Sequence, residues 1–190
     1  MIEFPWYVGL LGWLSILLPI ILIIMFDGMI KELWILARML FKNNPCDVSE
    51  VKLLGMNHIP FKGYAYIMWC GNMIYRNDML ERRQKEWMTV KFQIQKRHET
   101  IHLLQAKACG SWVRYYCIYL CEWIKGNPIM APASSAYKTI PYEVAAYANE
   151  DNPSYLENFV DDSDVRYNLK NRKRTYKENR NNWKSFIKGL

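Results

Sequence analysis

Histidine is scarce in this chain: 190 residues contain three. No Cys-x-x-Cys pair occurs, and the cysteines, Cys46, Cys70, Cys109, Cys117 and Cys121, are odd in number, so paired-cysteine zinc spacings are excluded and buried free thiols in a reducing compartment are expected. No internal repeat runs through the chain, which excludes a solenoid or an array. Charge is missing from Phe4 to Phe26. A basic start and a small-residue cleavage site are missing as well, which argues against a secretory signal peptide.

What is present begins with that uncharged stretch. At about 1.5 Å of rise per residue it would cross a hydrocarbon core of roughly 30 Å with some tilt, so it reads as a transmembrane helix with Pro5 in its first turn and Pro19 as an internal kink. Lys31, Arg38 and Lys42 follow it and no cation precedes it, which places the remainder of the chain in the cytoplasm by the positive-inside bias. The expected location is therefore a single-pass membrane protein with a cytoplasmic C-terminal domain, at the inner membrane if the source is bacterial.

From Met29 to Phe41, Ile30, Leu33, Trp34, Ala37 and Leu40 recur at helical spacing, which predicts a helical extension. Asn43-Asn44-Pro45 should stop it. Tyr64 to Tyr75 is aromatic and β-branched and is divided by Gly71-Asn72, a pair suited to a two-residue turn, so a β-hairpin is expected. Asp78 can cap a short charged helix, and a longer helix should run from about Phe92 through Ala108 to Gly110. Ser111 to Ile124 is apolar but short for a membrane span. Pro141 opens an Ala-rich helix that ends before Asn152-Pro153.

The formal charge of +7 is local. Arg166 to Leu190 holds nine Lys or Arg against Glu178, a net of +8, so the rest is close to neutral. Its mixture of Arg172, Lys173, Arg174, Lys177 and Arg180 with Tyr176 and Trp183 suits anionic lipid, preferred here over nucleic acid. Three regions are expected: an anchor with its helical extension over 1–42, a domain over 43–160 and a basic tail over 161–190.

Two of the three histidines fall in His98-Glu99-Thr100-Ile101-His102, inside the long predicted helix. Positions four apart lie on one helical face, so both imidazoles can point at one metal ion. Glu99, next to the first histidine, can approach a water at the metal as general base without being a ligand. The longer motif with a third histidine would need Gly at Gln105 and His at Ala108, and neither is there. A carboxylate from a later helix is the remaining common third ligand, for which Glu143, in Pro141-Tyr142-Glu143-Val144-Ala145-Ala146, and Glu150, two turns later on the same face, are the candidates. Tyr147, Tyr142 and His58 are candidate donors to a developing oxyanion, in that order.

These features resemble the glutamate-zincin class of metallopeptidases over roughly Gly63 to Glu150. More closely, Arg97 to Gln105 and Ile140 to Glu150 are similar to small bacterial membrane proteins with the same signature, for which no substrate is established. The resemblance implies an α+β fold: an N-terminal transmembrane helix followed by a minimal, mostly helical zincin-like domain with a β-hairpin. It also implies Zn2+ held by His98, His102 and Glu143, with Glu99 as general base in hydrolysis of a protein or peptide substrate; Tyr147 joins Glu99 as a catalytic residue on the oxyanion-donor reading alone, and the uncharged span gives membrane lipid as partner through residues 4–26. Membrane members such as the CAAX prenyl proteases carry Glu-x-x-x-Asp; here the Asp position is Tyr147. The competing expectation is a membrane-anchored binding or scaffold protein whose zinc site is structural or inactive.

Overall fold

The structure is a computed structural model, described over residues 6–60, 65–126, 133–161 and 163–190. It is mostly helical, with one small sheet. Helix α1 runs from Trp6 to Lys42, followed by strands β1 (Lys52–Met56), β2 (Ile67–Trp69) and β3 (Asn72–Arg76). Then come α2 (Leu80–Trp87), α3 (Val90–Cys109), α4 (Trp112–Lys125), α5 (Ala133–Lys138) and α6 (Pro141–Asn149). Short helices α7 (Ser154–Glu157) and α8 (Ser163–Arg166) lead to α9 (Arg172–Asn179) and α10 (Trp183–Lys188).

Local chemistry accounts for the element ends. Asn43-Asn44-Pro45 follows the last residue of α1, and Asn44 caps a short 3-10 turn at Pro45–Asp47. Thr89 caps α3 by accepting the Phe92 N–H at 3.2 Å, and Gly110, at φ 75°, ends it in the left-handed conformation that glycine adopts without a Cβ penalty. Ser111 caps α4 in the same way, accepting from the Arg114 N–H at 3.0 Å. Asp78 does not cap α2; its carboxylate accepts two hydrogen bonds from Arg76 instead.

The hairpin forms one residue earlier than the Gly71-Asn72 pair suggested. Cys70 and Gly71, at φ 47° and 79°, make the two-residue turn between β2 and β3. Two successive positive φ angles match the twist of the flanking strands, which is why the turn settles on this pair. The sheet is larger than a hairpin, because β1 pairs with β3 in parallel to give the order β1-β3-β2.

The expected fold class and location need correcting. From Trp6 onward the apolar run is not a separate anchor but the front of a 37-residue helix, while Pro5, expected in its first turn, lies outside the described residues. That helix continues through Asp27, Lys31, Glu32, Arg38 and Lys42, and its later half buries Glu32 and Leu36. Among the described residues no helix is long and apolar enough to cross a membrane, which overturns the transmembrane helix and the single-pass membrane location inferred from it.

Glu32 ties α1 to the chain after β1. Its carboxylate accepts the backbone N–H groups of Asn57 at 2.6 Å, His58 at 3.0 Å and Ile59 at 3.1 Å. Beside it, Leu36 packs with Met56, Ile59 and Ile74, and the Trp69 indole donates to the Leu36 carbonyl at 2.9 Å. The largest core, including Met73, Phe92, Leu103, Trp112, Tyr115 and Ile140, joins the sheet to α3 and α4.

The segment expected as a tail is folded onto the rest. Tyr167, Tyr176, Trp183 and Ile187 form a second core with Val144 and Ala145 of α6. Arg172 is also buried and pairs with Glu122 of α4, so part of the basic character is consumed internally. The cysteines are free, as expected, but only Cys70 and Cys109 are buried.

Candidate metal centre

Helix α3 supplies two imidazoles and α6 one carboxylate. His98 and His102, one turn apart, are 5% and 4% exposed, and Glu143, in the first turn of α6, is 2% exposed. Ala145 and Ala146 are fully buried, so α6 lies close against its neighbours and brings Glu143 up to the histidine face. The His98 and His102 Nε2 atoms are 3.1 Å apart. Glu143 Oε2 is 3.3 Å from the first and Oε1 is 3.2 Å from the second. These three residues could hold a metal ion.

The tautomers follow from the groups behind the rings. Glu150 is a carboxylate, so the His98 Nδ1–H donates to its Oε2 at 2.9 Å. Gln105 donates through Nε2 to the Tyr142 carbonyl at 3.2 Å, which turns Oε1 toward His102, and the His102 Nδ1–H donates to it at 2.8 Å. Each neutral ring is left with an Nε2 lone pair facing the other. Two lone pairs at that separation repel unless a cation lies between them, and Glu143 Oε2, buried without a hydrogen-bond partner, has the same need. The donor set therefore fits a metal.

A proton can serve in the metal's place. Burial disfavours a charged His98, but the carboxylates of Glu143 and Glu150 beside it outweigh that and raise its pKa to about 10. Burial likewise disfavours the Glu143 carboxylate, and the two histidines more than compensate, holding it well below the usual carboxylate range.

The remaining support comes from distant parts of the chain. Lys184 of α10 donates to Glu150 Oε1 at 2.7 Å, and Arg97 donates to the Glu150 carbonyl at 2.7 Å. Ser163 accepts from Gln105 at 3.4 Å and donates to Asp161 at 3.0 Å. On the open side, the Tyr119 hydroxyl donates to Glu143 Oε1 at 2.7 Å.

A cleft of about 370 Å³ adjoins the cluster, with Glu99, His102 and Glu143 along one side and β2 and tyrosines of α4 and α5 along the others. Glu99 is half-buried, and desolvation, opposed by the two histidines, raises its pKa above the ordinary value. Since β2 is an edge strand, one side of its backbone pairs with no other strand among the described residues. The tight turn makes Trp69 and Asn72 a hydrogen-bonded pair, so by alternation Met68 presents its N–H and C=O to that edge.

Of the residues singled out from sequence, His98, His102 and Glu143 converge and Glu99 flanks them. Glu150 is not a ligand but the partner behind His98. Tyr147 packs its ring 4.5 Å from that of His98 and lines a different groove with Lys138 and Lys184. Tyr142 stacks on Tyr115 and reaches Cys109, and His58 lies beside Glu32, so neither is at the cleft. Gln105, Tyr119 and Tyr137 were not anticipated in these positions. Gln105 was within reach of sequence reasoning, because it lies three residues after His102 on the same helical face. The tyrosines carried no such signal.

Compared with known proteins, the chain matches no family model, and no curated protein or solved structure shows significant similarity to it.

Proposed function

We infer that the protein is a zinc-dependent hydrolase of peptide bonds. The observation that carries this reading is the convergence of two imidazole lone pairs and a buried carboxylate beside an open cleft flanked by Glu99. The two Nε2 atoms lie 3.1 Å apart and each has a Glu143 carboxylate oxygen within 3.3 Å, close enough for the three residues to share one ion. His98, His102 and Glu143 would hold it. When bound, zinc polarises water and a substrate carbonyl.

The chain's own groups account for the rest. Glu99, with its proton affinity raised by burial, can accept a proton from the attacking water on its carboxylate and deliver it to the leaving nitrogen. Glu150 and Gln105 keep the Nδ1 protons and so hold both rings in the ligating tautomer. Met68 can pair with an extended peptide added along the β2 edge, directing it across the cleft.

The test combines metal analysis with proteolysis. Wild type and Glu99→Gln should both bind about one zinc per chain, with cleavage of a peptide library slowed about 10²- to 10⁴-fold in the variant. Zinc binding without any cleavage that depends on Glu99 would reduce the centre to a structural one.

A further inference from the structure

We propose that the groove between the start of β2 and helices α2 and α3 is a carboxylate-binding site anchored by Arg83. The groove has a volume of about 550 Å³ and is lined by Tyr66, Arg82, Arg83, Glu86, Lys91 and Phe92, among others. Arg83 is only 7% exposed. Its Nη1 donates to Glu86 at 2.6 Å, and its guanidinium lies 5.0 Å from the centre of the Tyr66 ring. Its Nε–H is buried with no hydrogen-bond partner. A guanidinium N–H desolvated and left unpaired is costly, and an arriving acceptor removes the cost.

The chemistry selects the acceptor. Glu86 is the single acid among the lining residues, and it is shared, since Arg82 also approaches it at 3.5 Å. With Lys91 the groove keeps an excess of positive charge. The planar guanidinium fork matches a carboxylate in two-point contact, and Glu86 uses only one of its nitrogens. The fork is held in place, because the Tyr66 ring beneath it is itself fixed by a hydrogen bond from the Trp87 indole at 3.2 Å.

Position links this groove to the metal centre. Tyr66 is a wall of both the groove and the cleft holding Glu99, His102 and Glu143. A peptide following β2 across the cleft therefore meets Arg83 within a few residues. That the carboxylate belongs to a peptide rests on the hydrolase reading; that the groove takes a carboxylate does not. A glutamate or aspartate side chain and a free C-terminus offer the same group.

The experiment uses the full zinc-loaded chain carrying Glu99→Gln, so that turnover is suppressed while the metal centre stays intact. Three acetylated tripeptides, alike except for a last residue of glutamate amide, glutamine amide or glutamine with a free carboxyl, are titrated while the Arg83 Nε–Hε resonance is followed by NMR. Through-bond assignment identifies that resonance without a variant. At least one carboxylate peptide should shift it and bind at least tenfold more tightly than the neutral one, and which of the two does so identifies the source. Lys91→Ala, at an exposed position, should weaken that binding by a smaller factor. Equal response to the neutral peptide, or no response to any of the three, overturns the proposal. Cleavage dependent on Glu99 would be unaffected by that failure, so the two readings fall separately.

Discussion

The Nε2 atoms of His98 and His102 stand 3.1 Å apart while both Nδ1 atoms are engaged elsewhere, by Glu150 and Gln105. Neutral rings in that arrangement face each other with lone pairs, so the pocket needs a positive charge between them, which a metal ion supplies and a proton on His98 replaces in its absence. Removing the metal should therefore destabilise the fold. Zinc at about 100 to 1,000 times its Kd should add about 2.7–4.1 kcal/mol of stability over the chelated protein, measured by denaturant unfolding. His98→Ala should abolish that difference.

Glu150 acts through His98. Glu150→Gln should lower zinc affinity about 10- to 100-fold, read by competition with a chromophoric chelator, because the Nδ1–H loses its charged acceptor. Circular dichroism should be unchanged. Lys184, whose side chain is largely exposed, should matter much less, with Lys184→Met costing at most about 1 kcal/mol in stability.

Glu32 gives the fold an acid limit. Burial works against its charge, but the N–H groups of Asn57, His58 and Ile59 outweigh that and lower its pKa below the ordinary 4.5. A lowered folded-state pKa means that the stabilisation is full above about 4.5 and is lost as pH falls through the folded value. Glu32→Gln should cost about 1–3 kcal/mol at neutral pH and flatten the acid limb of the stability curve below about pH 4.5.

The C-terminal helices should behave as part of the domain. Ile187 is fully buried against α6, and Ile187→Ala should cost about 2–5 kcal/mol in chemical denaturation. Because α6 carries Glu143, the same variant should also weaken zinc binding. A stability equal to wild type would mean that this core contributes nothing.

What the sequence determined by itself was local. The His98 and His102 spacing, the caps at Thr89 and Ser111, the stop at Pro45 and the left-handed end at Gly110 depend on neighbours within about one helical turn, where backbone geometry is regular. Choosing Glu143 needed the added resemblance, and Gln105 could have been read from spacing alone. Tertiary structure decided the remainder. Glu150 reaches His98 across 52 positions and Lys184 reaches Glu150 across 34, while β1 finds β3 in parallel rather than a hairpin partner. The uncharged stretch from Trp6 became the front of a longer helix that buries Glu32, and the basic segment after Arg166 became the packing behind Glu143. Such contacts arise from which apolar faces bury one another, a property of the whole chain that no short pattern encodes.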